Sequence, residues 1–256
     1  MHNKMILVVP CFNEENRFPF GYWQELIRAD SNLGWVFVND GSTDSTNTLL
    51  NQVVIDSNSI VIDYSKNLGK GNAIRKGFLT ALDKYPDCEF LGYIDSDGAF
   101  SKDDVLHLMN KTFDIPSSEI NGPLDAVLSS RVALAGRNIR RKSSRHYVGR
   151  IVATFLTSSW KEGPYDTQSG FKIFRNSKSF QHALENDFKS SWFIDIELLT
   201  RIGNLNGGLL NIWEEPLTSW RDVSGSKINV RKIPKLIIEI LMARREVTRY
   251  LKMRGV

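Results

Sequence analysis

Short apolar runs separated by longer amphipathic stretches fill the first half of the chain. Five runs have the aliphatic, β-branched and aromatic content of buried strands: Met5–Val9, Trp35–Val38, Ile60–Tyr64, Leu91–Ile94 and Ala126–Ser130. Stretches between them, at about 22–30, 74–82 and 102–113, carry apolar residues at three- and four-residue steps, which predicts helices. Strands that alternate with helices predict an α/β fold, with a mostly parallel sheet covered by helices on both faces.

The pattern changes after residue 130, where the predicted elements are shorter and polar loops separate them. They are, in order, a cationic loop at 137–150, a helix to Trp160, a strand at 171–174, a helix over Trp192–Leu199 and a strand over Leu209–Trp213. Two acids, Asp195 and Glu197, lie among large apolar residues of the predicted helix. Buried acids of this kind indicate either a functional site or a salt-bridged core.

From Val230 onward the chain has the pattern of one amphipathic helix, with cations between the apolar positions. Between residues 229 and 256 there are eight Lys or Arg residues and two Glu residues. Such a helix either lies on a membrane surface, with its cations on anionic headgroups, or packs on the domain or in a homo-oligomer interface. We therefore expect a globular domain over 1–228 and a basic C-terminal helix over 229–256.

Two aspartates follow the fourth predicted strand. Asp95 and Asp97 lie where the backbone leaves the sheet, and ligands of open α/β sheets bind over the carboxyl ends of strands. Two carboxylates within about 4 Å repel by roughly 4 kcal/mol at an effective dielectric near 20, and bound Mg²⁺ or Mn²⁺ removes that repulsion. A turn closed by aspartate side chains is the alternative for this motif, and the residues alone leave both open.

Polar motifs follow three other predicted strands. Asn13-Glu14-Glu15 comes after the first strand and Asn39-Asp40-Gly41 after the second. Each suits either a capped helix start or a site at the sheet edge. After the third strand, Asn67-Leu68-Gly69-Lys70-Gly71 combines glycines and a lysine at the start of a helix, which suits a phosphate. Its spacing is neither a P-loop nor a dinucleotide fingerprint, so neither an ATPase nor a dehydrogenase is favoured.

Composition indicates an ordinary globular protein. With 256 residues, of which 41% are hydrophobic and 24% charged, the chain is long enough to bury a sizeable core. No uninterrupted apolar segment approaches the ~20 residues that span a bilayer, and no signal peptide is visible, so we expect a cytoplasmic location. Cys11 and Cys88 are too few for a disulfide framework, which fits a reducing compartment.

The net charge of +4 is unevenly distributed. The run from Arg131 to Arg150 contains seven cations and no acid, and the C-terminal helix adds a second basic segment. This asymmetry indicates an anionic partner, such as a nucleotide phosphate or a lipid headgroup. A nucleic acid is not favoured, because the basic runs lack the interleaved aromatic residues that stack on bases.

Five motifs occur in an order that is more specific than any one of them. They are Val9-Pro10-Cys11-Phe12-Asn13-Glu14, Asn39-Asp40-Gly41-Ser42-Thr43-Asp44, Asn67-Leu68-Gly69-Lys70-Gly71, Asp95-Ser96-Asp97 and Asp166-Thr167-Gln168-Ser169-Gly170-Phe171. This series resembles the inverting glycosyltransferases of family 2, over the part of the chain from Met5 to about Lys227. Within that family the chain is similar to the dolichyl-phosphate sugar synthases, and in particular to the β-glucosyltransferases. The resemblance implies a Rossmann-like nucleotide-sugar fold of the GT-A type.

The resemblance also implies residue roles. The nucleotide-sugar-binding residues would be Pro10, Phe12, Glu14, Asp40, Lys70, Asp95 and Ser96. Asp97, together with Asp95, would hold Mg²⁺ or Mn²⁺ on the diphosphate. Arg131 and Arg145 would bind a phosphate of the donor or of the acceptor. Asp166 and Glu197 would shape the sugar and acceptor side.

Three positions depart from the family pattern. Phe12 stands where tyrosine is usual, and Asn39 replaces the first aspartate of the common Asp-Asp-Gly-Ser motif. Ala99 stands where mannosyl-type synthases often carry a metal-binding glutamine, which weakens a GDP-mannose assignment. The family pattern therefore favours UDP-glucose as the donor.

We expect an enzyme, peripheral at the cytoplasmic face of a membrane, that transfers a hexose from UDP-glucose to a polyprenyl or dolichyl phosphate. A phosphate acceptor is already anionic at neutral pH and needs positioning more than deprotonation. One alternative is a family 2 enzyme that acts on a saccharide hydroxyl, for which Asp166 or Glu197 would be the base. A second alternative, from another class, is a non-catalytic nucleotide-sugar-binding protein.

Overall fold

A computed structural model of the chain describes residues 4–30, 33–55, 57–116, 118–120, 122–141, 150–156, 158, 160, 163–223 and 233–255. The strands are β1 Met5–Cys11, β2 Leu33–Asp40, β3 Ile60–Tyr64, β4 Phe90–Ile94, β5 Ala126–Ser130, β6 Asn138–Arg140, β7 Phe171–Arg175, β8 Ile212–Pro216 and β9 Ser219–Arg221. The helices are α1 Phe20–Ala29, α2 Thr46–Val53, α3 Lys70–Lys84, α4 Lys102–Asp114, α5 Lys178–Ala183, α6 Ile194–Leu205 and α7 Ile233–Arg254. A further helical segment covers 150–156.

Seven strands form the central sheet in the order β3-β2-β1-β4-β7-β5-β8. All neighbours are parallel except β7, which runs antiparallel to both β4 and β5. The first residue of β7, Phe171, therefore pairs with the last residue of β4, Ile94. Because of this reversal, the loop before β7 meets the carboxyl ends of the parallel strands at one sheet edge. Strands β6 and β9 form a separate parallel pair.

Both faces of the sheet are covered, which explains the continuous apolar runs of the central strands. In β1, Ile6 and Val8 pack with α3, α6 and α7 on one face. Leu7 and Val9 pack with α1, α2 and α4 on the other. Successive side chains of a strand point to opposite faces, so a strand between two helical layers has to be apolar at every position. The predicted α/β fold, with a mostly parallel sheet between helices, is confirmed.

Several predicted boundaries are wrong; β2, for example, extends over Leu33–Asp40 rather than Trp35–Val38. The late strand begins at Ile212 rather than at Leu209, because Gly207 and Gly208 form a turn with positive φ and pairing with β5 starts at Ile212. The helix predicted over Trp192–Leu199 begins at Ile194 and continues to Leu205. Sequence patterns did not predict α2, α5, β6 or β9, each of which has eight residues or fewer. Elements of that length carry too few residues to show a period.

The C-terminal helix α7 has two different faces. Ala243, Val247, Tyr250 and Leu251 are buried in the core that also contains residues of α6. Apolar residues nearer the start of the helix, Ile237, Ile238 and Leu241, are exposed. Of the helices in the described part of the chain, none combines the length and apolar character needed to cross a membrane.

Candidate functional site

The carboxyl end of β4 carries Asp95 as its first residue outside the sheet. Its N–H donates to the carbonyl of Gly170 (3.0 Å), and its Oδ1 lies 2.6 Å from Nζ of Lys70 at the start of α3. Gly170 leaves room for this carboxylate, because a Cβ built at position 170 would lie 2.5 Å from Cγ of Asp95. The predicted Lys70 and Asp95 are therefore in direct contact, and the loop before β7 sets the position of Asp95.

Asp97 is half-buried two residues further along, and its Oδ1 accepts the N–H of Ala99 (3.1 Å). Burial raises the pKa of Asp97, and the negative charge of Asp95 raises it further, while Lys70 and Arg17 compensate in part. A carboxylate pair with this excess of negative charge fits a divalent cation with oxygen ligands. Within the described residues no group of three or more acid, His or Cys side chains could hold a metal alone. The diphosphate of a nucleotide would have to supply the remaining ligands.

Residues predicted to bind the nucleotide lie around the ends of β1 and β2. Phe12 is 44% exposed at the end of β1 beside the less exposed Pro10, whereas Glu14 is buried and accepts a hydrogen bond from Arg17 (2.6 Å). Burial raises the pKa of Glu14, Arg17 opposes that change, and the charge of Asp97 adds to it. Glu14 therefore belongs electrostatically to the same acidic cluster as Asp97.

Asp40 holds the glycine loop in place. Its two carboxylate oxygens accept the N–H groups of Leu68 (2.8 Å) and Gly69 (2.9 Å). Gly41 beside it has a positive φ of 69°, and a Cβ there would lie 2.5 Å from the backbone of Lys66 and Asn67. The structure thus gives Asp40 a contact with the loop that starts α3, and its predicted contact with a nucleotide stays a prediction.

Ser96 lies between the two aspartates and is buried. Its carbonyl accepts the indole N–H of Trp23 in α1 (2.9 Å), which fixes the backbone between the aspartates to the helical layer. Asn39, at the position where family members usually carry aspartate, donates from Nδ2 to Oδ1 of Asp63 in β3 (2.7 Å). An aspartate at position 39 would instead place a second carboxylate against Asp63, so the asparagine suits this chain's own neighbour.

On the other side of the site, Arg131 at the end of β5 forms a bidentate pair with Asp166. The Nε and Nη2 groups of Arg131 donate to Oδ2 and Oδ1 of Asp166 (2.7 Å each), and the backbone N–H of Arg131 donates to Oδ2 (3.0 Å). Both side chains are about nine-tenths buried. Burial raises the pKa of Asp166, but the hydrogen bonds and charge of Arg131 outweigh it and lower that pKa to about 2.

Two further contacts fix this pair. Glu214 of β8 accepts the N–H groups of Tyr165 and Asp166 (2.7 Å each). The guanidinium carbon of Arg131 lies 5.1 Å from the ring centroid of Trp220. Trp220 also forms an isolated antiparallel β-bridge with Phe100, which follows the Asp95 loop. The structure therefore brings the predicted Arg131 and Asp166 together and joins them to the end of β4.

Glu197 stands apart from this group. The carboxylate of Glu197 is buried in α6, where it accepts the N–H groups of Lys189 and Ser190 and pairs with Arg201 (2.7 Å). Its described contacts hold the loop before α6, and its predicted role toward the acceptor stays a prediction. Arg145 lies outside the described residues.

A buried group that the motifs did not predict lies beneath the site. Lys172 of β7 is completely buried, and its Nζ lies 3.3 Å from Oδ2 of Asp195 and 3.4 Å from the hydroxyl of Tyr93. Tyr93 also donates to the carboxylate of Asp195. A signal was present in the sequence, since an acid such as Asp195 among apolar residues requires a buried partner. The sequence did not indicate which cation provides it.

The chain was compared with protein families and with known proteins. The family model described as Glycosyl transferase family 2 matches residues 6–180. A dolichyl-phosphate beta-glucosyltransferase of Trichomonas vaginalis is 28% identical over an alignment 248 positions long, which covers 92% of this chain and 71% of that protein. The dolichyl-phosphate beta-glucosyltransferase of Saccharomyces cerevisiae is 28% identical over an alignment 260 positions long, which covers 93% of this chain and 74% of that protein.

Among solved structures, the chain is similar to glucosyl-3-phosphoglycerate synthase from Mycobacterium tuberculosis in complex with Mg²⁺ and uridine diphosphate. The TM-score is 0.66 at 15% sequence identity, and the alignment covers 94% of this chain and 79% of that chain. At this identity the likeness concerns the fold, and it confirms the predicted GT-A architecture.

Proposed function

The chain belongs to glycosyl transferase family 2, and from that premise we propose that it transfers the glucosyl group of UDP-glucose to the phosphate of a polyprenyl or dolichyl lipid, with inversion at the anomeric carbon. As a member of this family it is a glycosyltransferase. The curated relatives, which are named dolichyl-phosphate beta-glucosyltransferases and match most of the chain, support the sugar and the acceptor. A structural neighbour that was crystallised with uridine diphosphate supports the nucleotide.

The observation that carries the choice of acceptor is the state of Asp166. A saccharide hydroxyl has to lose a proton to a base during transfer, whereas a lipid phosphate is already anionic. Both oxygens of Asp166 accept hydrogen bonds from Arg131, and the resulting pKa of about 2 makes this carboxylate a weak base at neutral pH. The other candidate base, Glu197, is occupied by Arg201 and backbone N–H groups. Both findings favour an acceptor that needs no base.

On the donor side, Asp95 and Asp97 would hold Mg²⁺ or Mn²⁺ against the diphosphate. When bound, the metal supplies neutralisation of the charge that develops on the departing diphosphate. Nζ of Lys70 lies 2.6 Å from Oδ1 of Asp95, so this lysine orients the Asp95 carboxylate at the proposed metal site. Asp40 fixes the glycine loop whose backbone leads into α3, where N–H groups suit a phosphate.

On the acceptor side, Arg131 would donate to the lipid phosphate. Asp166 uses Nε and Nη2, and no described residue accepts a hydrogen bond from Nη1. An arginine has five N–H donors in a fixed plane, so a guanidinium that is already held by one carboxylate can present its remaining donors without losing further freedom. The acceptor phosphate would thus be positioned by a group whose orientation exists before it binds.

We also propose that α7 brings the enzyme to the membrane surface. The buried face of α7 packs on the domain, and its exposed Ile237, Ile238 and Leu241 remain available for the acyl region. Removing the whole helix would uncover Val247 and Tyr250 of the core, so point substitutions are the better test. Leu241→Asp should reduce co-sedimentation with liposomes of anionic phospholipid at least tenfold, and Thr248→Asp, on an exposed position of the same helix, controls for charge. Equal binding of Leu241→Asp and the parent would exclude this role for α7.

A donor screen tests the proposed reaction. The purified protein is incubated with Mg²⁺, polyprenyl phosphate in detergent and one radiolabelled donor at a time: UDP-glucose, UDP-N-acetylglucosamine or GDP-mannose. We expect solvent-extractable label with UDP-glucose, in β linkage by nuclear magnetic resonance. A preference for GDP-mannose would contradict the donor assignment, and binding of UDP without turnover of any donor would indicate a non-catalytic nucleotide-sugar-binding protein.

A further inference from the structure

Lys172 is a completely buried lysine in the middle of the sheet. It lies on β7, between Tyr93 of β4 and Leu128 of β5 in the strand register. Lysine is almost never fully buried unless its charge is paired and its donors are used. The groups that contact its Nζ atom therefore indicate the role of this lysine.

Four oxygens surround the ammonium group. Two belong to backbone carbonyls of the loop before β7, those of Thr167 (3.2 Å) and Ser169. The other two are Oδ2 of Asp195 (3.3 Å), in the first turn of α6, and the hydroxyl of Tyr93 (3.4 Å). An ammonium group has three N–H donors, and here two carbonyls of one loop take part. Asp195 and Tyr93, which are hydrogen-bonded to each other, contact the same ammonium group.

The loop that Lys172 holds connects both halves of the site. At one end, Asp166 forms the bidentate pair with Arg131. At the other end, the carbonyl of Gly170 accepts the N–H of Asp95. Between them, Ser169 contacts Ser129 of β5 through a hydroxyl pair at 2.5 Å. Thr167 directly follows Asp166, and Ser169 directly precedes Gly170, so the two carbonyls that Lys172 contacts lie next to the two ends of this connection.

We propose that Lys172 is a positioning residue for the transfer reaction: from within the core it fixes the carbonyls of Thr167 and Ser169, and thereby sets Arg131 and Asp95 relative to each other. Asp195 and Tyr93 contact Lys172 and orient it for this role. The catalytic consequence rests on the proposed function, whereas the effect on the loop itself does not.

A double substitution separates this role from that of a simple buried ion pair. Lys172→Met alone leaves Asp195 buried without a counter-charge, which is strongly destabilising. Lys172→Met with Asp195→Leu removes both charges, and such replacements of a buried pair by apolar residues are often neutral for stability. If the pair only balances charge, the double variant should behave as the parent does. If Lys172 positions the loop, the double variant should regain stability while the loop before β7 remains more mobile than in the parent.

The experiment measures thermal unfolding, hydrogen exchange of peptides covering residues 164–175, and turnover of UDP-glucose with polyprenyl phosphate. In the double variant we expect the melting temperature to return toward that of the parent, loop amides to exchange at least tenfold faster, and kcat to fall at least tenfold with less than threefold change in the KM for UDP-glucose. Arg75→Met is the matched control. Arg75 is also a buried cation that donates to two backbone carbonyls, those of Leu184 (2.6 Å) and Glu185 (2.7 Å), outside the site.

Two results would overturn the inference. Loop exchange within twofold of the parent in the double variant would show that the carbonyls do not need Lys172. Faster exchange with unchanged kcat would show that the loop does not position the reacting groups. If the parent transfers no glucose, the proposed function fails, and hydrogen exchange still decides whether Lys172 fixes the loop.

Discussion

The ends of β4 and β5 lie on the same edge of the sheet, and they differ in how their charge is balanced. At the end of β4, Asp97 lies near a second carboxylate, and burial together with Asp95 raises its pKa. At the end of β5, Arg131 and Asp166 neutralise each other through two hydrogen bonds of 2.7 Å, and the pKa of Asp166 falls to about 2. The β4 end therefore has an excess of negative charge in the protein alone, whereas the charges at the β5 end are already balanced.

This difference indicates separate roles for the two ends: the β4 end binds a cation, and the β5 end is organised before the substrate arrives. Negative charge that the protein leaves uncompensated lowers its stability and favours a cation that arrives with the substrate. A pair that is complete before the substrate arrives costs nothing to assemble at the moment of reaction. Substitutions at the two ends should therefore have opposite effects on stability, which makes the comparison testable.

The largest expected effect on stability comes from Asp166→Asn. It leaves the Arg131 guanidinium buried with a neutral partner, and breaking a buried pair in this way costs about 3–5 kcal/mol. Urea unfolding at pH 7 measures the loss. Asp187→Asn is the control, because Asp187 also pairs with a buried arginine, Arg75, but is itself 75% exposed and should contribute less than about 1 kcal/mol.

Acid unfolding sharpens the same prediction. The folded-state pKa of Asp166 is about 2, below its usual value of 3.8, so its contribution to stability is present above pH 4 and is lost as the pH falls toward 2. That contribution is about 2 kcal/mol. Between pH 4 and pH 2 the free energy of unfolding of the parent should therefore fall by about 2 kcal/mol more than that of Asp166→Asn. An identical acid profile for the two proteins would contradict the assigned pairing.

At the other end, Asp97→Asn should lower activity without lowering stability. We expect kcat to fall at least about 100-fold, the scale of losing one electrostatic contact to a departing group. The melting temperature of the ligand-free protein should stay the same or rise, because the raised pKa of Asp97 means that its ionised form disfavours the fold. Asp103→Asn, at an exposed position in the first turn of α4, is the control. Unchanged turnover with unchanged Mg²⁺ dependence would remove Asp97 from the metal site.

The smallest change tests the junction between the two ends. In Gly170→Ala the new Cβ would lie 2.5 Å from Cγ of Asp95, so the carboxylate has to move. Overpacking of this kind costs about 1–3 kcal/mol, and we expect kcat to fall about tenfold because Asp95 loses its place beside Lys70. Gly21→Ala in α1, where the new Cβ would have no described atom within 4 Å beyond its chain neighbours and the backbone of its own helix, should leave activity and stability nearly unchanged. Equal kcat of Gly170→Ala and the parent would show that the reaction tolerates a displaced Asp95.

The sequence was sufficient to place the β4 end of the site. The apolar run before Asp95 predicts a strand, and its two carboxylates necessarily follow at the ligand-binding edge of a parallel sheet. The approach of Lys70 to Asp95 was implicit in the same rule, because both residues follow or begin elements at that edge. Local pattern and one topological rule were enough for this half.

The β5 end depends on contacts between distant parts of the chain. Arg131 and Asp166 are 35 residues apart, and their pairing requires that β7 run antiparallel beside β5, which nothing in its five residues indicates. For a related reason, the sequence did not identify Lys172 as the buried partner of Asp195. A lysine within a short strand is normally expected to face solvent, and only the pairing of β7 with neighbours on both sides buries it.

The most direct test of the account is the choice of acceptor. The protein is given radiolabelled UDP-glucose and Mg²⁺ with polyprenyl phosphate and an oligosaccharide in the same reaction, and the label is partitioned between the organic and aqueous phases. A complete Arg131–Asp166 pair without a free base predicts that label passes to the lipid phosphate and that the oligosaccharide stays unlabelled. Label in the oligosaccharide, with none in the lipid, would contradict the account.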